Sequence, residues 1–360
     1  LPLYHGLIQI ELFCAAFAVG FLLTALPKFL ATRAASKNEL IAFVAVYLCL
    51  ALADLGNFFT AGQWFFIVFL ILLVRFAAVR VADRKSAPPF SFLLIAFGLL
   101  EGLLGAVFIL IPLQRFPLLG SKLLEQGMLL SLSLGVGSFL GPRLMGVVDT
   151  QNAVVSLPSR ARNGKPWYHS PALAVLAIGT VIFASFFIEC GWDRFIGLSL
   201  RAAATGYCLF RFGVIRIPRS QSIIGILTAI PLWFLPIGLF LALIFPTHEA
   251  GMLHLTYIGG FGLLILAIGA QVVSSHGMVH QFWQTHRVEA MCVAALMCAA
   301  AITRAIATVF PTHYFALLAV AAIIFDLAML TWGVGVLRHI GSAFDKRIKV
   351  ELPPIAHHKI

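Results

Sequence analysis

The chain is predicted to be all-α, a polytopic transmembrane helical bundle, and three observations predict it. Of its 360 residues 61% are apolar and 11% charged, against about 25% charged in a soluble domain; mean hydropathy is +1.00. The apolar residues fall into eleven runs of about the length a helix needs to cross the hydrocarbon core. The basic residues between those runs fall mostly on alternate sides, as the positive-inside rule requires of a threaded chain.

In order, the runs are 7–30, 40–56, 58–79, 91–112, 123–141, 171–190, 195–214, 222–245, 253–275, 288–310 and 315–337. Lipid has no water to satisfy open backbone groups, so each run is a helix; runs this long exceed a barrel strand. Lys28, Arg33 and Lys37 follow the first run, and Arg80, Arg84 and Lys85 follow the third. Arg143, Arg160, Arg162 and Lys165 follow the fifth, Arg211, Arg216 and Arg219 the seventh, and Arg287 the ninth. Arg338, Lys346, Arg347, Lys349 and Lys359 follow the last. These make 19 of the 25 basic residues; only Arg115, Lys122 and Arg194 lie on the other side, and Arg75, Arg201 and Arg304 lie inside runs. The basic side is therefore expected to be cytoplasmic, with a bundle over 1–337 and a cytoplasmic tail over 338–360. The longest loop, 142–170, is too short for a domain. A chain opening at Leu1 without a signal-peptide pattern leads us to expect a native segment ahead of it.

Composition excludes several classes. The formal charge of +11 follows from loop topology, so no nucleic-acid partner is expected; the lipid bilayer is the partner. Six scattered cysteines make no disulfide framework. No phosphate loop, H-E-x-x-H or dinucleotide fingerprint occurs, nor a C-x-x-C-H for covalent haem.

Polar residues inside apolar runs carry the functional signal, because burying them is costly. His5, His248, His254 and His313 fall near the outer ends of runs. Neutral imidazole is a ligand for haem and for copper. Two histidines from different helices at one depth can hold a haem iron from both faces, and His5 with His254 is the best pair. Gln9 stands at i+4 from His5, on the same helical face, to orient the ring or meet a cofactor edge. Gly259, Gly260 and Gly262 permit close approach of a flat ligand or of another helix. The plainer alternative makes these histidines helix-end contacts. Phe245-Pro-Thr-His248 recurs as Phe310-Pro-Thr-His313, either as stop signals or as a second outer site, for copper, on His248 and His313. His254 and His276 flank one run and stand about 33 Å apart at helical rise, too far for one metal. His276 and His280 are an i, i+4 pair. Arg201 and Arg304 are candidates for haem propionates or for ion pairs with Glu125 or Glu189. Glu101 and Asp326 lie mid-run, as a proton path or as satisfied structural groups. Gly98-x-x-x-Gly102 and Gly137-x-x-x-Gly141 read as helix-packing faces.

Three separated segments, His5-Gly-Leu-Ile-Gln9 with Gly20-Phe-Leu-Leu-Thr-Ala-Leu-Pro-Lys28, Leu134-Gly-Val-Gly-Ser-Phe-Leu-Gly-Pro-Arg143, and His254-Leu-Thr-Tyr-Ile-Gly-Gly-Phe-Gly through His276-Gly277, resemble the motifs of the NnrS family. That resemblance implies about twelve spans in a bacterial inner-membrane protein with haem b and copper, linked to nitric oxide and nitrosative stress. It carries over His5, His254 and His276. Leu7 stands where the family motif commonly has a second histidine. The resemblance implies nitric oxide as a ligand, an oxidoreductase as one form of the activity, and an electron donor or respiratory complex as partner. Two other classes are open. Glu101, Asp326 and Arg201, with Pro231 and Pro236 breaking a helix, suit a secondary transporter; an accessory subunit of a respiratory complex is the third.

Overall fold

A computed structural model describes residues 2–147, 170–214, 223–276 and 286–351, with side chains over 4–147, 170–214, 223–273 and 286–336. Arg160, Arg162, Lys165, His169, Arg216, Arg219, His280, His357, His358 and Lys359 lie outside the described residues, as do the side chains of His276 and His339.

Every apolar run becomes a helix, and among the described residues there is no strand. We number them α1 (Tyr4–Leu30), α2 (Lys37–Leu55), α3 (Phe59–Ala82), α4 (Phe92–Leu110), α5 (Leu119–Leu144), α6 (Pro171–Gly191), α7 (Arg194–Arg211), α8 (Ile223–Ile244), α9 (Pro246–Val273), α10 (Arg287–Ala307) and α11 (Pro311–Val336). All but α7 are long and apolar enough to cross a membrane, so the chain is a multi-pass membrane protein. The eleven expected runs are eleven helices, and only α7 carries too many charges to be apolar along its whole length. That 18-residue helix has Arg194, Arg201 and Arg211 within it, and its buried face includes Arg201, Thr205 and Cys208. Polar partners in the bundle, rather than apolarity, hold it.

Local chemistry sets the helix ends. Ser36 and Glu39 form a reciprocal capping box at the start of α2, which satisfies two orphan backbone donors. Glu39 also receives a forked pair of bonds from Arg80 Nη1 and Nη2 at 2.6 and 2.7 Å, and Arg80 is 1% exposed with its guanidinium over Phe76. Arg80, expected among the loop cations, instead bolts α3 to α2. Asp193 caps α7 through the Ile196 amide at 2.8 Å, and Pro171 opens α6. Pro231 and Pro236 do not break α8, which runs unbroken from Ile223 to Ile244. Their neighbours Leu232 and Leu235 are fully buried, and packed helices tolerate proline inside lipid where an opened backbone would not survive.

The two glycine pairs expected as packing faces do pack. A Cβ on Gly137 would lie 2.6 Å from Leu232, and one on Gly98 2.9 Å from Leu132 and the Met128 carbonyl. Helices α6 and α7 form an antiparallel hairpin, α10 pairs with α11, and α8 lies among α5, α7, α9 and α10. The outermost helices show their apolar side: Leu52 is 72% and Phe315 80% exposed, as expected of faces solvated by lipid tails. The final helix continues past Leu337, as one element over Tyr314–Glu351.

Candidate functional site

Three helices widen into π-helix, over Ile8–Cys14 in α1, Leu123–Met128 in α5 and Leu255–Gly262 in α9. The first two lie in the first half of their helices and the third crosses the middle of α9. Gly6 lies beside Glu125 and His5 is within electrostatic range of His254, so the first parts of α1, α5 and α9 come together, at the end expected to face outward. π-Segments are rare and gather at functional sites. Around these three converge the polar residues that apolar runs do not need.

His254 ends the α-helical opening of α9, immediately before its π-segment. Its Nδ1 is 2.5 Å from the Ala250 carbonyl oxygen. A carbonyl only accepts, so Nδ1 carries the proton and Nε2 keeps a lone pair for a metal or a donor; this is how a second partner sets a ligating histidine. The Tyr257 ring stands edge-on to the imidazole, with centroids 5.6 Å apart. Arg304 on α10 and His5 on α1 both lie within electrostatic range of His254. Arg304 Nη1 is buried with no hydrogen-bond partner.

His5 is followed by Gly6, which packs beside the Glu125 carboxylate. A Cβ there would lie 2.7 Å from Glu125 Oε1, so the carboxylate of α5 lies next to the turn that carries His5. Glu125 also lies within electrostatic range of Tyr257. His5, Glu125, Tyr257, His254 and Arg304 therefore form one neighbourhood from four helices.

Behind it lies an ion network. Arg201 is fully buried; its Nε donates to Ser185 Oγ at 3.2 Å, Nη1 to Gln126 Oε1 at 2.5 Å and Nη2 to Glu189 Oε2, with Phe186 under the guanidinium. Lys122 donates to Glu189 Oε1 and reaches Glu249 at 3.4 Å, and Arg194 donates to Glu249 at 2.6 Å. The five charged groups link α5, α6, α7 and α9. Between the two partners open to Arg201 in the sequence, the structure selects Glu189.

Other candidates fall elsewhere. Gln9 is exposed within the first π-segment, where i+4 no longer spans one turn, and no hydrogen bond joins it to His5. His248 and His313 each end a one-turn 3₁₀ helix, Pro246–His248 and Pro311–His313, that opens the next span. His276 ends the described part of α9, far from His254. Among the described residues no three His, Cys, Asp or Glu side chains gather into a metal-binding group. Sequence reasoning passed over Tyr257, Gly6 and Lys122. Tyr257, three residues after His254, was the findable one, since i+3 residues share a helix face.

A model of the NnrS protein family matches residues 1–342. The chain belongs to the NnrS family. No curated protein matches it. Within this NnrS chain the match takes in all eleven helices and every residue of the site, so the histidine pair, the three π-segments and the ion network all lie inside the family unit.

Proposed function

We propose that this NnrS protein holds haem b between His5 and His254 at the outer end of the bundle, and that nitric oxide is the ligand it meets there. The observation that carries this reading is the 2.5 Å approach of His254 Nδ1 to the Ala250 carbonyl oxygen, which accepts the Nδ1–H bond and leaves Nε2 for a metal. The surrounding residues fit the group. Arg304 brings a buried, unpartnered Nη1 into the neighbourhood, which suits a haem propionate. Arg201 spends all three of its nitrogens on protein groups, so Arg304 is the propionate partner and Arg201 sets the frame around it.

When bound, the haem supplies iron for ligand binding and one-electron exchange. The chain's own groups do the rest. Ala250 orients the His254 ring, Gly6 brings Glu125 close, and Glu125 with Tyr257 offers a place to hold a proton beside a bound ligand. Phe186, under Arg201, helps keep water from the network. His5 and His254 would hold the group, which would supply nitric oxide binding or electron exchange with a membrane donor. The 19-to-3 distribution of basic residues supports a bacterial inner-membrane location with the C-terminus in the cytoplasm. The unbroken α8 removes the helix break that favoured a transporter.

Haem extraction and the optical spectrum of the purified protein, with and without nitric oxide, test this reading. A haem b spectrum that shifts on adding the gas is expected, and a protein without haem when expressed in haem-replete cells would overturn it.

A further inference from the structure

A second polar cluster lies in α1, α2 and α3, apart from the histidine pair. Glu11 and Gln63 are fully buried and Asp54 is 6% exposed. Gln63 Nε2 donates to Glu11 Oε1 at 2.7 Å. Three oxygens are then left over, Glu11 Oε2, Gln63 Oε1 and Asp54 Oδ2, each buried without a hydrogen-bond partner. Glu11 and Asp54 lie within electrostatic range of each other, and Asp54 Oδ1 occupies the space a Cβ on Gly62, beside Gln63, would need. The Tyr4 hydroxyl donates to the Asp54 carbonyl oxygen at 2.7 Å and ties the start of α1 over the cluster. Tyr47 does the same from α2 to the Leu12 carbonyl at 3.0 Å.

Two carboxylates and an amide oxygen present acceptors only, and among the described residues no lysine or arginine pairs with either acid. Buried charge of one sign needs a counter-charge. Protonation is the other way to neutralise such acids, and the infrared measurement below separates it from a bound cation. Oxygen ligands with no nitrogen or sulfur among them suit a hard cation, and two negative charges suit a divalent one.

We propose that Glu11, Gln63 and Asp54 form a binding site for a hard metal cation, Ca²⁺ before Na⁺, that clamps the first three helices together at the outer end. The site uses none of the residues assigned to haem iron, so it stands if that assignment falls.

The test is thermal unfolding of the purified full chain in detergent after chelator treatment, titrated with CaCl₂ and separately with NaCl against choline chloride. Binding to the folded state alone makes Tm rise with the logarithm of ion concentration. A rise with Ca²⁺ supports a divalent site, and a rise with Na⁺ alone supports a monovalent one. In either case Glu11→Gln and Asp54→Asn should each weaken the response at least tenfold in ion concentration. Should one variant fail to fold, the other and wild-type metal analysis before and after chelation decide. No response to either ion, with infrared spectra showing both carboxyls protonated in the wild type, would overturn the proposal; so would a response that both variants retain.

Discussion

Two arginines of one type, both inside predicted spans, have different fates, and the difference is a count of partners. Arg201 meets Ser185, Gln126 and Glu189 and lies on Phe186. Arg304 keeps a buried nitrogen open, 5.9 Å from the Tyr314 ring at its Cζ. Removing one member of a buried pair strands the other charge, which costs about 3–5 kcal/mol. Arg201→Gln is therefore expected to lower stability by about that amount, read as a drop in Tm in detergent. Arg304→Gln should leave Tm nearly unchanged and loosen haem instead, read as faster loss to an acceptor such as apomyoglobin. Equal losses of stability in both variants would contradict this division. Sequence alone named both arginines and both acids, but could not choose Glu189 over Glu125. The hairpin that aligns Ser185 and Glu189 with Arg201 is set by how α6 and α7 pack, and no local pattern encodes it.

At the scale of the element, what matters is where helices depart from regular winding. The segment Leu255–Gly262 begins one residue after His254, so any slip in its winding turns the imidazole. Gly259 and Gly260 let it lie against α8, where a Cβ would stand 2.5 Å from Phe234 and 2.6 Å from Leu235 respectively. Gly259→Ala is expected to cost about 1–3 kcal/mol as an overpacked contact and to alter the haem spectrum. Gly20→Ala, with nothing within 4 Å of its Cβ, should do neither. A wild-type spectrum in Gly259→Ala would show that the π-segment does not position the ring. The helices themselves were legible because an apolar run of about 20 residues has one low-energy form in lipid. The widened turns were not, because each lies against other helices, α2 for the first, α4 and α6 for the second, α8 and α10 for the third, and those contacts are not written in local residue type. The same limit explains α8, whose two prolines read as a break and whose buried neighbours keep it whole.

For the whole molecule, apolar residues decide that there is a bundle and basic residues decide which way it threads. Lipid weakens the usual drive to hide apolar side chains, so the polar groups set within the apolar interior stand out: Arg80 beside Glu39, the Arg201 network and the cluster around Gln63. The threading has its own check. A Cys placed at Trp192, which is 85% exposed between α6 and α7, should react with an impermeant thiol reagent in intact cells. One placed at Lys85, beyond α3, should react only after the membrane is opened. Reversed labelling would invert the bundle and move the site to the cytoplasmic end. The family match over residues 1–342 ties both ends of that threading to one unit. The candidate site is legible in the sequence as two histidines of expected matching depth, yet the groups that would fit His254 to a ligand's role, the Ala250 carbonyl and the neighbouring Arg304, come from the fold.

The most direct measurement of the central claim is the spin state of the iron in the oxidised protein, by electron paramagnetic resonance, in wild type, His5→Ala and His254→Ala. Two imidazoles on one iron predict a low-spin signal in the wild type and a high-spin signal in each variant, with imidazole added to the medium restoring the low-spin form. An unchanged low-spin signal in either variant would mean that another side chain holds the iron and that the pair assigned here does not.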